Sequence, residues 1–155
     1  MANGGILTTR VLYRTAAVLI LLFDIGHSAG CPWSDPAWAV DLGAICSSQF
    51  HIAGFSRTYA DFYVGFGLFV SVFLLLAAIL AWQLGSLPTE TLRQMRMTAW
   101  ALALCFGAVA SLSWKYFFSI PIAFSSAITV CLVVAGWRSA GAASPILAGD
   151  APAFR

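Results

Sequence analysis

Phe62–Leu84 reads FYVGFGLFVSVFLLLAAILAWQL, 23 residues without a charged side chain. As a helix it would rise about 35 Å at 1.5 Å per residue, enough to cross a bilayer hydrocarbon core of about 30 Å. A soluble domain has no way to cover an apolar rod of that length on every side. The stretch therefore predicts a membrane-spanning helix, and its neighbours are read with lipid as the solvent.

Downstream, Met97 to Trp137 is a longer apolar run interrupted only by Lys115. One helix of that length would extend roughly 60 Å, twice the thickness of the hydrocarbon core. It must fold back, and Trp114-Lys115-Tyr116-Phe117-Phe118-Ser119-Ile120-Pro121 supplies a charge, interfacial aromatics, a serine suited to capping and a proline suited to a first helical turn. Upstream, Val11 to Ser28 is a weaker span, with Arg14 near its start and Asp24 and His27 near its end. A signal peptide is the rival reading: Arg10 and Arg14 as its basic region, Ala16 to Phe23 as its apolar region, and Ser28-Ala29-Gly30-Cys31 as a small-residue site before a lipoprotein cysteine. An apolar signal region does not ordinarily hold Asp and His, so the uncleaved span is preferred.

Composition agrees. Of 155 residues 61% are hydrophobic and 9% charged, against about 25% charged in soluble domains, and the mean hydropathy is +0.88. In lipid only helices or closed barrels satisfy the backbone, and the long continuous apolar runs lack the alternation of barrel strands. The formal charge of +2 is dispersed, without the basic stripe of a nucleic-acid binder. The expected fold is an all-α integral membrane four-helix bundle, with helices at about 11–28, 62–84, 97–114 and 119–137. It forms one domain over residues 1–138, followed by a flexible cytoplasmic tail over 139–155.

Basic residues set the expected orientation. Arg10, Arg14, Arg93, Arg96, Arg138 and Arg155 fall on one side, Arg57 and Lys115 on the other, which places both termini and the 85–96 turn in the cytoplasm. The segment from Ala29 to about Thr58 becomes an exported loop of roughly 30 residues, expected to pack onto the bundle or lie at the interface.

Cys31 and Cys46 fall in that loop. A disulfide between them would close about 15 residues and stabilise by about 3 kcal/mol in the chain-entropy model, the alternative being two reduced, packed thiols. Cys105 and Cys131 read as apolar filler, and no C-x-x-C is present to suggest a dithiol or zinc site. Asp24 and His27 share a helix face, and ionisable groups within a span are costly enough to be functional candidates. Arg57 and Asp61 stand four apart, in reach of each other on a helix, with Tyr59 and Tyr63 suited to the interface. The topology brings Asp24, His27, Arg57, Tyr59, Asp61, Trp114 and Lys115 to the exported end of the bundle, where bundles commonly form ligand pockets. Gly65 and Gly67, and Gly107 with Ser111, suit close helix packing; Ser125, Ser126 and Thr129 suit bonds to neighbouring backbone. A haem held by His27 and His51, or a metal held by Asp24, His27 and Asp61, finds no support in the spacing.

Three strings carry a resemblance: Gly26-His27-Ser28; Phe55-Ser56-Arg57-Thr58-Tyr59-Ala60-Asp61-Phe62-Tyr63-Val64-Gly65-Phe66-Gly67-Leu68; and Tyr116-Phe117-Phe118-Ser119-Ile120-Pro121. They resemble a family of small bacterial four-helix integral membrane proteins over residues 10–138. That resemblance implies a multi-pass topology in the bacterial inner membrane and implies no activity. A more distant likeness, in helix count and in polar and aromatic residues at one end of the bundle, is to the emopamil-binding and sterol-isomerase-like superfamily. Its enzymes move a double bond by proton transfer, and none of its acidic catalytic residues aligns here.

The function expected from this pattern is binding of a lipophilic small molecule (a quinone, sterol-like lipid or isoprenoid) at the exported end, with its polar head at His27, Asp61 and Lys115. Were there a reaction, His27 steadied by Asp24 would serve as acid or base. The alternative is a non-catalytic accessory subunit of a larger membrane complex or a homo-oligomer. Membrane lipids are the expected surroundings, nucleic acid is not an expected partner, and transport by four helices without an inverted repeat ranks third.

Overall fold

The computed structural model describes residues 2–30 and 41–141. In chain order the elements are α1 (Ala2–Gly30), α2 (Leu42–Ser47), β1 (Gln49–Ile52), β2 (Phe55–Thr58), α3 (Tyr59–Leu84), α4 (Thr89–Gln94), α5 (Arg96–Tyr116) and α6 (Ser119–Gly141). Four helical stretches are long and apolar enough to cross a membrane: Thr8–Gly30, Tyr59–Leu84, Arg96–Tyr116 and Ser119–Ala140. The chain is a multi-pass helical membrane protein.

Local chemistry sets the helix ends. Thr58 caps α3: its hydroxyl accepts from the Asp61 N–H at 3.0 Å, while the Asp61 carboxylate accepts from the Thr58 N–H at 2.8 Å. This reciprocal box fixes the first turn, so α3 starts at Tyr59 and not at the expected Phe62. It also removes the expected Arg57–Asp61 helical pair. Arg57 precedes the cap, in β2, where the four-residue spacing of a helix does not apply. At the other reversal, α5 ends at Tyr116, Phe117 is extended, and Pro121 sits in the first turn of α6, as the apolar run required. Helix α6 continues to Gly141, three residues into the expected tail; residues 142–155 lie outside the described residues.

The all-α expectation needs one amendment. The segment before α3 contains an antiparallel hairpin, with Gln49 opposite Thr58 and Ile52 opposite Phe55. Ala53 and Gly54 form its two-residue turn, both at positive φ, which is the sense of turn that follows strand twist. Phe50 fastens the hairpin to α3, with its ring 5.4 Å from Tyr59 and 5.3 Å from Phe62.

Helix α1 lies between α3 and α6, and α5 packs on the far side of α6. The spatial order is therefore α3, α1, α6, α5, and the contact that would close the ring, α3 to α5, is slight. The large buried apolar side chains are confined to one end. They fall within residues 13–20 of α1, 74–84 of α3, 99–106 of α5 and 128–135 of α6, with Leu92 of α4 beneath them. Because successive long helices run in opposite directions, these four stretches meet at the end that carries α4. Toward the hairpin end, the fully buried residues are the small Gly67, Ser113 and Ser125, with half-buried groups on all four long helices, among them Phe23, Val64, Val109 and Phe124. Many core positions at the α4 end are alanine, which lets helix backbones approach without a hydrophobic driving force between them.

Glycine acts most tightly at the cap of α3. A Cβ on Gly85 would stand 3.0 Å from Arg14 Cγ, 3.1 Å from Tyr13 Cβ and 3.2 Å from the Arg10 carbonyl. The expected close-packing serine, Ser111, is instead exposed and donates to the Gly107 carbonyl of its own helix at 2.9 Å.

Candidate functional site

One group of polar residues of the spans meets where the hairpin-side turns of α1 contact α3. His27 Nε2 lies 3.1 Å from the Gly67 carbonyl oxygen. A carbonyl only accepts, so Nε2 carries the proton and donates. One residue on, the Ser28 hydroxyl is 2.8 Å from that of Ser71 and 3.5 Å from Asp24 Oδ1. Ser28 has one hydrogen to give. If it goes to Asp24, Ser71 must donate to Ser28, and the chain Ser71, Ser28, Asp24 has a single direction ending on a carboxylate.

Asp24 is incompletely served. It is half-buried, and its one hydrogen bond among the described residues is that long contact from Ser28. An ionised carboxylate in a low-dielectric span commonly accepts several strong bonds, and leaving it without them costs several kcal/mol. Among the described residues its second oxygen accepts no hydrogen bond. Beside it, Phe23 of α1 stacks on Phe124 of α6, with ring centres 5.6 Å apart and planes within 11°. The pair joins α1 to α6 one residue before Asp24 in sequence.

The other sequence-derived candidates stand apart from this ladder. Asp61 is committed to the cap of α3 and lies six residues, about 9 Å of helix, beyond Gly67. The Arg57 guanidinium donates to the neighbouring Ser56 carbonyl at 2.8 Å and lies over the Phe55 ring at 5.5 Å. Tyr59 serves the hairpin contact with Phe50. Trp114 is 77% exposed, and the Lys115 ammonium lies 5.0 Å over the ring of Tyr116, its neighbour in sequence. The seven residues thus occupy three places: the α1–α3 ladder, the hairpin and cap, and the turn after α5. The trio Asp24, His27, Asp61 does not assemble, and among the described residues no three His, Cys, Asp or Glu side chains gather as a metal site would require. His51 is exposed on β1, and Cys46 is an exposed thiol on α2. Its candidate partner Cys31 lies outside the described residues.

Two members of the ladder, Gly67 and Ser71, were not read as a site in the sequence. The signal was present. Ser71 is the lone serine in the run 62–84 and stands four residues after Gly67, a small-xxx-small pair of the kind that brings two helices into contact. Comparison with protein-family models, curated proteins and solved structures finds no match to this chain.

Proposed function

We propose that the chain binds a lipophilic small molecule of the quinone, sterol-like or isoprenoid kind, held among the hairpin-side halves of its helices with a polar head at Asp24 and His27. The observation that carries this reading is Asp24, a half-buried carboxylate within an apolar helix whose only hydrogen bond among the described residues is the 3.5 Å contact with Ser28. Such a group prefers a donor, and a ligand hydroxyl reaching Asp24 from the apolar side would supply one. Among the described residues no large side chain is fully buried toward this end, where the helices meet through the ladder, the Phe23–Phe124 pair and half-buried side chains. The head group shifts from the expected set, since Asp61 and Lys115 are engaged elsewhere.

The same reading places the protein in a bacterial inner membrane with both chain ends inside. Support comes from the arginines: Arg10, Arg14, Arg93, Arg96 and Arg138 belong to the α4 end, while Arg57 and Lys115 belong to the other.

A second reading, a subunit of a larger membrane complex, has its own support. Phe62, Phe66, Phe69 and Phe73 are all exposed along one stretch of α3, the helix at the edge of the packing order. Native mass spectrometry of the protein released from its own membrane separates the two. A retained lipophilic mass, lost in Asp24→Asn and His27→Ala and kept in Asp61→Asn, is the expected result. Retention that ignores both Asp24 and His27 would remove the site, and a stoichiometric protein partner without a small molecule would favour the second reading.

A further inference from the structure

The α4 end carries a separate feature. A cleft of about 430 Å³ opens between α4, the start of α5 and the end of α6, lined by Glu90, Arg93, Gln94, Arg96, Ser139 and Ala140. We propose that this cleft binds the phosphate of an anionic phospholipid headgroup. The proposal is independent of any ligand at the hairpin end.

The charge of the lining is poorly balanced. Arg93 is paired with Glu90 at 3.6 Å, but the Glu90 side chain is 84% exposed, and ion pairs so open to water are worth little. Arg96 has no ion-pair partner among the described residues. Two guanidinium groups, one unpaired and one loosely paired, suit a phosphate, which accepts paired N–H bonds from the arginine fork. The wall behind them is polar as well. Ser139 is buried and donates to the Gly136 carbonyl at 2.8 Å. Next to it, the fully buried Tyr13 hydroxyl lies close to Ser139 without reaching hydrogen-bond geometry.

Position argues for a lipid and against a soluble anion. Arg96 is the first residue of one candidate span and Ala140 the last of another, so the cleft sits at the level where a span ends and headgroups begin. Exposed Met97 and Trp137 adjoin it in sequence on α5 and α6, an apolar and an interfacial residue suited to acyl chains and the headgroup border.

The test uses the full chain in dodecyl maltoside, with phosphatidylglycerol added and bulk lipid then stripped, read by native mass spectrometry. The wild-type chain should keep one phosphatidylglycerol in preference to phosphatidylcholine, and Arg93→Gln/Arg96→Gln, which removes both guanidinium forks, should lower that retention by about tenfold or more. The control Arg10→Gln/Arg138→Gln removes the same charge from the same end and should keep the lipid. Ala140→Trp obstructs the cleft while leaving both arginines, and should lose the lipid with helicity by circular dichroism unchanged. Equal loss in the control pair, or retention in both cleft variants, overturns the proposal. So does inorganic phosphate raising the thermal midpoint of lipid-free protein, with the same arginine dependence and no preference for phosphatidylglycerol, because the occupant would then be free phosphate.

Discussion

At the scale of single residues, Gly85 and Gly65 make a contrast that volume alone explains. Both lie on or at the end of α3, and Gly85 has an ordinary φ of −70°, so neither is held by a need for unusual backbone. Gly85 is pressed against α1, with Tyr13 Cβ and the Arg10 backbone near 3 Å from any added methyl, whereas a methyl on Gly65 meets nothing within 4 Å. Gly85→Ala should destabilise by about 1–3 kcal/mol, since neither a Cβ nor a backbone carbonyl can swing aside. Gly65→Ala should be neutral or stabilising by up to about 1 kcal/mol from helix propensity. Thermal unfolding in detergent reads both, and equal effects at the two positions would contradict the close approach of α1 to α3.

At the scale of elements, the hairpin carries a correctable strain. Ala53 holds φ +50° in the turn, a conformation that costs alanine about 1 kcal/mol and that asparagine tolerates. Ala53→Asn should protect the β1 and β2 amides from hydrogen exchange several-fold, while Thr58→Ala should weaken the first turn of α3 by about 1 kcal/mol through loss of its cap. Faster exchange throughout α3 in Thr58→Ala would mean that the cap supports more than that turn. The elements also show what sequence could and could not give. Phe62–Leu84 and the fold-back at Trp114–Pro121 were legible because length against bilayer thickness is a one-dimensional problem. The start at Tyr59 was not legible because the span was bounded by its charge-free run, which begins after Asp61, whereas Thr58 and Asp61 together form the capping box that starts the helix earlier. The hairpin escaped notice because its turn is Ala-Gly, lacking the asparagine or aspartate that usually marks one.

For the whole molecule, the order α3, α1, α6, α5 was not legible, because helices that are apolar on all sides do not announce which face meets which neighbour. The site suffered in the same way. Grouping Asp24, His27, Arg57, Tyr59, Asp61, Trp114 and Lys115 at one end rested on counting spans, but a span count has no resolution along the helix axis or around it. The structure separates Asp61 from His27 because α3 extends beyond its contact with α1. The orientation is open to a direct check. In intact cells, a membrane-impermeant maleimide should modify Cys46 from outside, with Cys46→Ser as the control for Cys105 and Cys131, whereas Gln94→Cys should react only after permeabilisation. Labelling of Cys46 that first requires a reductant, and no longer requires it in Cys31→Ser, would identify Cys31 as its disulfide partner.

The one-sided core has a mechanical consequence. The large fully buried side chains lie in the α4-side halves, so the four helices are gripped more firmly there than toward the hairpin, and a small tilt at the grip displaces the far ends most. Helices α3 and α5, each anchored to one long neighbour and scarcely to each other, have the widest swing. The side on which they scarcely touch would face the acyl chains, so the lipophilic guest proposed above is expected to arrive sideways from the bilayer, its occupancy following its mole fraction in the membrane and not its concentration in water.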